Sequence, residues 1–203
     1  IAKGAGLMTQ TTYEEHINAA AWPQLGNKAL AEVIQRNAEA VGNPQWTDEE
    51  QAFAKKFQAA LKIKETGLTT KIGPLGSRPQ SASSNDSGDV SWVVPAGIFS
   101  FPAAVPGVQF HNWQAGVTPT SSIAHKGEIA GAKVLATTII DLMTSPDALK
   151  QAKAEFDQVT KASPYFAVLP ADAKPPLELN QAAMAKFRPE MAKHYLHKSP
   201  RYN

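Results

Sequence analysis

The residues with the most chemical reach lie between Ser83 and Lys126, where two carboxylates, two imidazoles and many hydroxyls sit among glycines and prolines. His125 follows T-P-T-S-S at the start of a helix-forming run. Exposed N–H groups and the helix dipole at such an end favour a neutral imidazole. That is the form a divalent metal requires, and zinc accepts it readily. A capping or packed histidine is the plainer alternative. Asp86 and Asp89 stand three apart around Gly88. They suit orienting a metal-bound histidine, holding a cation or amine, acid–base work, or simply capping turns. His111, flanked by Phe110 and Trp113, is a pocket candidate. Ser121 and Ser122 lack a G-x-S-x-G setting, which makes capping their expected duty. Asn85-Asp86-Ser87 has the form of a glycosylation acceptor, a pattern too common by chance to carry weight.

Other reactive patterns are missing. The sequence holds no glycine-rich phosphate loop, zinc-finger spacing or H-E-x-x-H. The basic tail K-H-Y-L-H-K-S-P-R includes His194 and His197, for which a solvated or subunit-covering segment is a more natural role than a metal site. With no cysteine there is neither a disulfide framework nor a thiolate, which fits a reducing compartment and equally an exported chain without bridges. A formal net charge of +2 over 203 residues is too mild to imply nucleic acid. No stretch approaches the ~18 uninterrupted apolar residues of a membrane span. The opening I-A-K-G-A-G-L-M lacks an initiator methionine or targeting signal and reads as the inside of something longer.

The elements that must position these residues read as a mixture of helices and short strands. Alternation over Leu7–Ala21 suggests a strand with His16 on its wetter face. Asn27 caps an amphipathic helix carrying Leu30, Val33, Ile34 and Val41, which ends at Gly42. Thr47-Asp48-Glu49-Glu50 has the form of a capping box, and Phe53, Phe57 and Leu61 mark the expected buried stripe of the next helix. Short strands are expected over Leu68–Ile72, Val90–Val94 and Val108–His111, with Val90–Val94 covered on both faces. A polar link joins the first two over Gly73–Ser84. A helix from about Ala124, rich in Ala and Gly, suggests close approach to a sheet. Pro146 after Ser145 opens another helix, and a short one is expected around Asn180–Phe187. The fold class expected is therefore α/β.

Three separated runs agree in order with a known family. S-N-D-S-G-D-V-S-W-V-V-P (84–95), P-G-V-Q-F-H-N-W-Q (106–114) and S-S-I-A-H-K-G-E-I-A-G-A-K-V-L-A (121–136) resemble the carboxy-terminal part of M20 metallopeptidases. The likeness is strongest to the amidohydrolase branch named for aminobenzoyl-glutamate utilisation protein B. The run at 25–54 resembles the place where that branch leaves its smaller lid domain, so the likeness covers most of residues 1–160. The resemblance implies part of a catalytic domain, a twisted sheet with flanking helices, plus the end of a smaller α/β lid. On that scheme residues 1–44 end the lid, which usually dimerises. Residues 45–163 belong to the catalytic domain, and 164–203 form a Pro-rich tail.

The resemblance also implies two divalent ions, usually zinc, that activate a water against the amide of a small acyl- or aromatic-amino acid or peptide. His125 corresponds to the family's final metal ligand. Asp86 and Asp89 fall in the pocket wall, His111 in a substrate or oxyanion position, and Asn27 near the end of the lid. The other ligand motifs, His-x-Asp and the Glu-Glu pair, lie upstream of the lid in the family and have no counterpart in this sequence. The expectation is a parent amidohydrolase, cytoplasmic and outside any membrane, and a chain that is inactive alone because it supplies at most one ligand. It would associate with its own copies or with an amino-terminal part. The alternative is a non-catalytic binding or assembly domain that keeps the family's core.

Overall fold

The computed structural model describes residues 1–76 and 85–195. The expected α/β class, with its twisted sheet, is overturned: among the described residues every regular element is helical and none is a strand. The helices are α1 (Ala2–Thr9), α2 (Lys28–Val41), α3 (Asp48–Ala60), α4 (Asp86–Val93), α5 (Ser122–Thr144), α6 (Pro146–Ala162) and α7 (Gln181–Met191). Short 3-10 turns lie at Trp113–Gly116, Thr118–Thr120 and Ala192–His194.

The chain divides into two compact units, one of Ala21–Tyr165 and one of Ile1–Ala20 with the segment that begins at Phe166. In the first, α2 is the central element and packs on both α5 and α6. Its start follows the local signals. The Asn27 side chain accepts from Leu30 N at 3.0 Å, and the Glu155 carboxylate of α6 accepts from Lys28 N and Ala29 N. Both satisfy N–H groups that a helix leaves open, and the carboxylate meets the positive end of the dipole. Leu30, Val33, Ile34, Asn37 and Ala38 form the buried face. Ile34 and Ala38 join Val134 of α5 in one core, with Val41, Ile72, Phe99 and Phe101 packed against it. A second core gathers Ala54, Leu68, Val105, Val108 and Ile123.

The capping box of α3 is complete. Thr47 Oγ1 accepts from Glu50 N, and the Glu50 carboxylate accepts from Thr47 N. Its buried face differs from the aromatic stripe expected. Glu50, Ala54 and Gln58 are the buried residues, Phe57 and Leu61 are half-buried, and Phe53 is exposed. Gln58 is wholly buried, and its carboxamide accepts from Gly67 N at 2.8 Å and donates to Pro106 O at 2.9 Å. Gln51 treats Leu68 in the same way, accepting from its N–H and donating to its C=O. Trp46 Nε1 donates to Thr69 O. These side chains satisfy backbone groups that a neighbouring strand would have taken, and Leu68–Ile72 is an irregular loop instead.

The other expected strands fail for related reasons. Val90–Val94 closes the short helix α4, and Val90, Val93 and Val94 are exposed where cover on both faces was expected. Val108–His111 is a loop that buries Val108. Over Leu7–Ala21 the chain instead ends α1 at Thr9, with Gln10 as a left-handed cap, and then runs without regular structure. The small residues of α5 approach a loop, not a sheet: Gly127 faces Pro102 O and Ala103, and Gly131 faces the Phe101 side chain. Helix α6 starts at Pro146 after Ser145, and α7 starts after Asn180, as the sequence suggests. Most of the Gly73–Ser84 link and, in the tail, His197 lie outside the described residues.

Candidate functional site

Asp89 sits in the first turn of α4, and both of its oxygens are engaged. Oδ1 accepts from the Tyr165 hydroxyl at 3.0 Å and Oδ2 from Trp22 N at 3.3 Å. Around this carboxylate, the Trp22 ring lies 4.8 Å from Trp92 and 5.7 Å from Tyr165, centroid to centroid. Trp92 Nε1 donates to Pro23 O, and the Ser91 hydroxyl accepts from Leu25 N while donating to Gly88 O. The segment at 22–25 is thus strapped along α4 by polar contacts and an aromatic cluster. The Asp89 carboxylate that accepts its proton raises the Tyr165 phenol above its ordinary range, with burial and the same negative charge adding to it.

Asn27 lies beside this strap. Besides capping α2, its carboxamide donates to Ala152 O at 2.8 Å. A shallow depression with no room for even a water-sized guest is lined by Leu25, Asn27, Ser91 and Glu155 among others, and it is no small-molecule cavity. Asp86 opens α4 and is exposed. Its helix is capped by Asn85, whose side chain accepts from Ser87 N and from Gln24 Nε2.

The two imidazoles stand apart from this strap. His111 is exposed in the loop before Trp113–Gly116, with a left-handed backbone (φ 60°). His125 is exposed in the first turn of α5. Among the described residues no hydrogen bond joins either one to Asp86, Asp89 or Asn27. No group of three or more His, Asp or Glu side chains is gathered as a metal site among the described residues. The described residues do not by themselves fit a two-metal centre.

A polar cluster that sequence reasoning missed joins α3 to α5. Glu50, 8% exposed, accepts from Ser122 Oγ at 2.6 Å and from Lys126 Nζ at 2.8 Å, while Lys126 also donates to Gln45 O. Burial alone would raise the Glu50 carboxyl. The hydrogen bonds from Lys126, Ser122 and Thr47 outweigh it and hold the group down at about 2. A carboxylate so stabilised is a weak base, and Lys126 is tied to it and to Gln45 O. Ser122 therefore belongs to a structural clasp, with no activating partner among the described residues. Its sequence signal is partial: Thr47-x-x-Glu50 announces the cap, but nothing local announces the reach to α5.

With this geometry in place, comparison with known proteins adds one relationship. No family model matches the chain, and no solved structure matches it. It is 32% identical over 201 aligned residues to a p-aminobenzoyl-glutamate hydrolase subunit of Escherichia coli strain K12. The match covers 86% of this chain and 42% of that protein, so the chain spans well under half the length of its curated relative. Among the described residues no helix is long and apolar enough to cross a membrane. The likeness gives the chain a broad, distant family link to M20-related hydrolases.

Proposed function

We propose that this chain is a non-catalytic helical domain of a hydrolase-related protein, serving binding or assembly and carrying no complete active centre of its own. The observation that carries this reading is the state of its candidate polar residues. Asn27 is engaged by Leu30 and Ala152, and Asp89 by Trp22 and Tyr165, so both act as fasteners of the helical fold. On the family scheme its segments are proposed to be the end of a lid (1–44), the carboxy-terminal part of a catalytic-type domain (45–163) and a Pro-rich tail (164–203).

A second reading concerns the whole protein and is favoured by the likeness to the Escherichia coli p-aminobenzoyl-glutamate hydrolase. It is a cytoplasmic amidohydrolase of the aminobenzoyl-glutamate utilisation branch, acting on a small acyl- or aromatic-amino acid amide or peptide. Its two divalent ions, zinc by preference, would receive one ligand from this chain, His125, and the remainder from polypeptide outside it. Asp86 and His111 would line the pocket, with Asn27 and Asp89 supporting its wall. Self-association belongs to the same reading.

Calorimetric titration of this chain with zinc tests the first reading. The expected result is no stoichiometric binding below the micromolar range and no turnover of amide substrates. Stoichiometric sub-micromolar uptake that disappears in His125→Ala would overturn it.

A further inference from the structure

Five lysines gather where the chain turns back along α3. Residues 55–71 hold Lys55, Lys56, Lys62, Lys64 and Lys71 against one acid, Glu65, so this stretch is more positive than the whole chain at +2. All five are exposed, and among the described residues none of them joins an ion pair. Side-chain bonds lay the returning loop antiparallel on the helix: Gln58 holds Gly67, Gln51 holds Leu68 and Trp46 holds Thr69. That path starts with Lys62 and Lys64 at the carboxyl end of α3 and carries the chain on to Lys71 towards its amino end. The 13 residues of α3 make the strip about 20 Å long at ~1.5 Å per residue. Lys55 is drawn into it from the helix, because a Cβ on Gly67 would stand 3.3 Å from the Lys55 Cε.

The backbone marks one of these lysines. Lys62 is left-handed, with φ 57°. Its N–H donates to Ala59 O at 2.9 Å, and Ile63 N donates to Gln58 O at 3.1 Å, the two bonds of a Schellman end. That position favours glycine, since a side chain there is strained. A lysine near the end of a helix also meets the negative end of its dipole, but it needs no left-handed backbone to do so. Strain retained inside a cluster of unpaired charge points to a use for the side chain.

The surroundings select the occupant. Residues 48–72 contain no arginine, so phosphates find no bidentate fork, whereas an ammonium serves a carboxylate as a point charge. The only large apolar side chain exposed over 48–72 is Phe53, and it is stacked on Phe57 with ring centroids 6.0 Å apart. This leaves neither a row of rings for bases nor an apolar face to enter lipid. Among the described residues no hydrogen bond uses the backbone of Thr70 or Lys71. Their N–H and C=O groups are open to another peptide backbone.

We infer that Lys55, Lys56, Lys62, Lys64 and Lys71 form a docking strip for an acidic peptide segment of a partner protein. Its carboxylates meet the lysines, and its backbone meets that of Thr70 and Lys71.

The full chain is titrated against a blocked, fluorescent ten-residue peptide of alternating aspartate and serine, and anisotropy reads the binding. The asparagine–serine peptide is the neutral control. The expected result is saturable binding of the acidic peptide alone, weakening roughly tenfold as salt rises from ~0.05 to ~0.3 M. Lys64→Glu with Lys71→Glu should weaken it roughly tenfold or more. Lys150→Glu with Lys161→Glu on α6 alters the net charge equally and should change it less than about twofold. Lys62→Gly removes both strain and charge, so it should raise the urea midpoint while weakening binding about threefold.

Binding no better than that of the neutral peptide overturns the strip. So does an equal loss in the α6 variant, which would make net charge the cause. Tighter binding of a ten-residue oligothymidine or of phosphatidylserine vesicles than of the acidic peptide overturns the peptide as occupant. A lower urea midpoint in Lys62→Gly would assign the lysine to the end of α3 and overturn its place in the strip.

Discussion

Glu50 ties three backbone or side-chain donors to one buried carboxylate, and it does so at the joint between the start of α3 and the start of α5. Replacing it by glutamine keeps the shape and removes the charge that Lys126 faces. A charge-assisted bond contributes roughly 1.5–3 kcal/mol, and the expected loss for Glu50→Gln is about 2 kcal/mol by urea unfolding at neutral pH. The sign with pH follows from the direction of the shift. The folded carboxyl sits near 2, below its ordinary value of 4.5. Its contribution is therefore complete above about 4.5 and fades as pH falls towards 2, because the unfolded chain takes up the proton first. The wild type should lose stability over that window more steeply than Glu50→Gln; parallel curves would remove the clasp. Thr138 gives the opposite case. Its hydroxyl is buried in α5 with no partner among the described residues, and a buried group without a bond costs about 1–3 kcal/mol. Thr138→Val, of nearly equal volume, should raise stability by about 1 kcal/mol; a decrease would mean that the hydroxyl does have a partner.

Helix α4 shows what a local reading can miss. V-S-W-V-V is a β-branched and aromatic run, and on propensity it reads as a strand. Three other features decide the outcome: Asn85 caps the helix, Asp86 and Asp89 sit in its first turn against the positive dipole end, and the segment at 22–25 bonds along its side. The cap and the acids are visible in S-N-D-S-G-D; the strap, more than sixty residues away in sequence, is not. The same division holds elsewhere. Asn27, the Thr47 box and Pro146 mark helix starts by local chemistry, and the structure places helices there. The strand readings fail where long-range partners, such as Gln51 and Gln58 on Gly67–Leu68, replace a neighbouring strand. Gly88 tests the strap at this scale. A Cβ there would run into the Trp22 carbonyl oxygen, which cannot move without dislodging the bonds of its segment. Gly88→Ala should lower stability by roughly 2–3 kcal/mol, within the usual range for overpacking, and shift tryptophan emission to the red as the Trp22–Trp92 contact opens. Unchanged stability and emission would mean that the strap does not hold α4.

The candidate site is legible in part for the same physical reason as the fold. Residue identities in the S-N-D-S-G-D and S-S-I-A-H-K runs carry the family resemblance, and a distant hydrolase relative supports its broad form. Which side chains meet is a tertiary property, and Asp89 with Tyr165 or Glu50 with Lys126 has no local signature. The two units give the molecule a testable distribution of stability. In the unit Ala21–Tyr165, α2 buries five residues and α5 six. In the other unit α1 buries only Gly6 along eight residues, and α7 buries none along eleven and carries Pro189 within it. Isolated helices shorter than ~12–15 residues are marginal in water without such packing, and local opening follows the density of buried contacts. Native-state hydrogen exchange on the full chain should therefore find the amides of α2 and the buried side of α5 slowed by roughly a thousandfold or more, and those of α1 and α7 by about tenfold or less. Protection in α7 equal to that in α2 would place a stabilising core in a unit whose described side chains are almost all exposed, and would overturn this division.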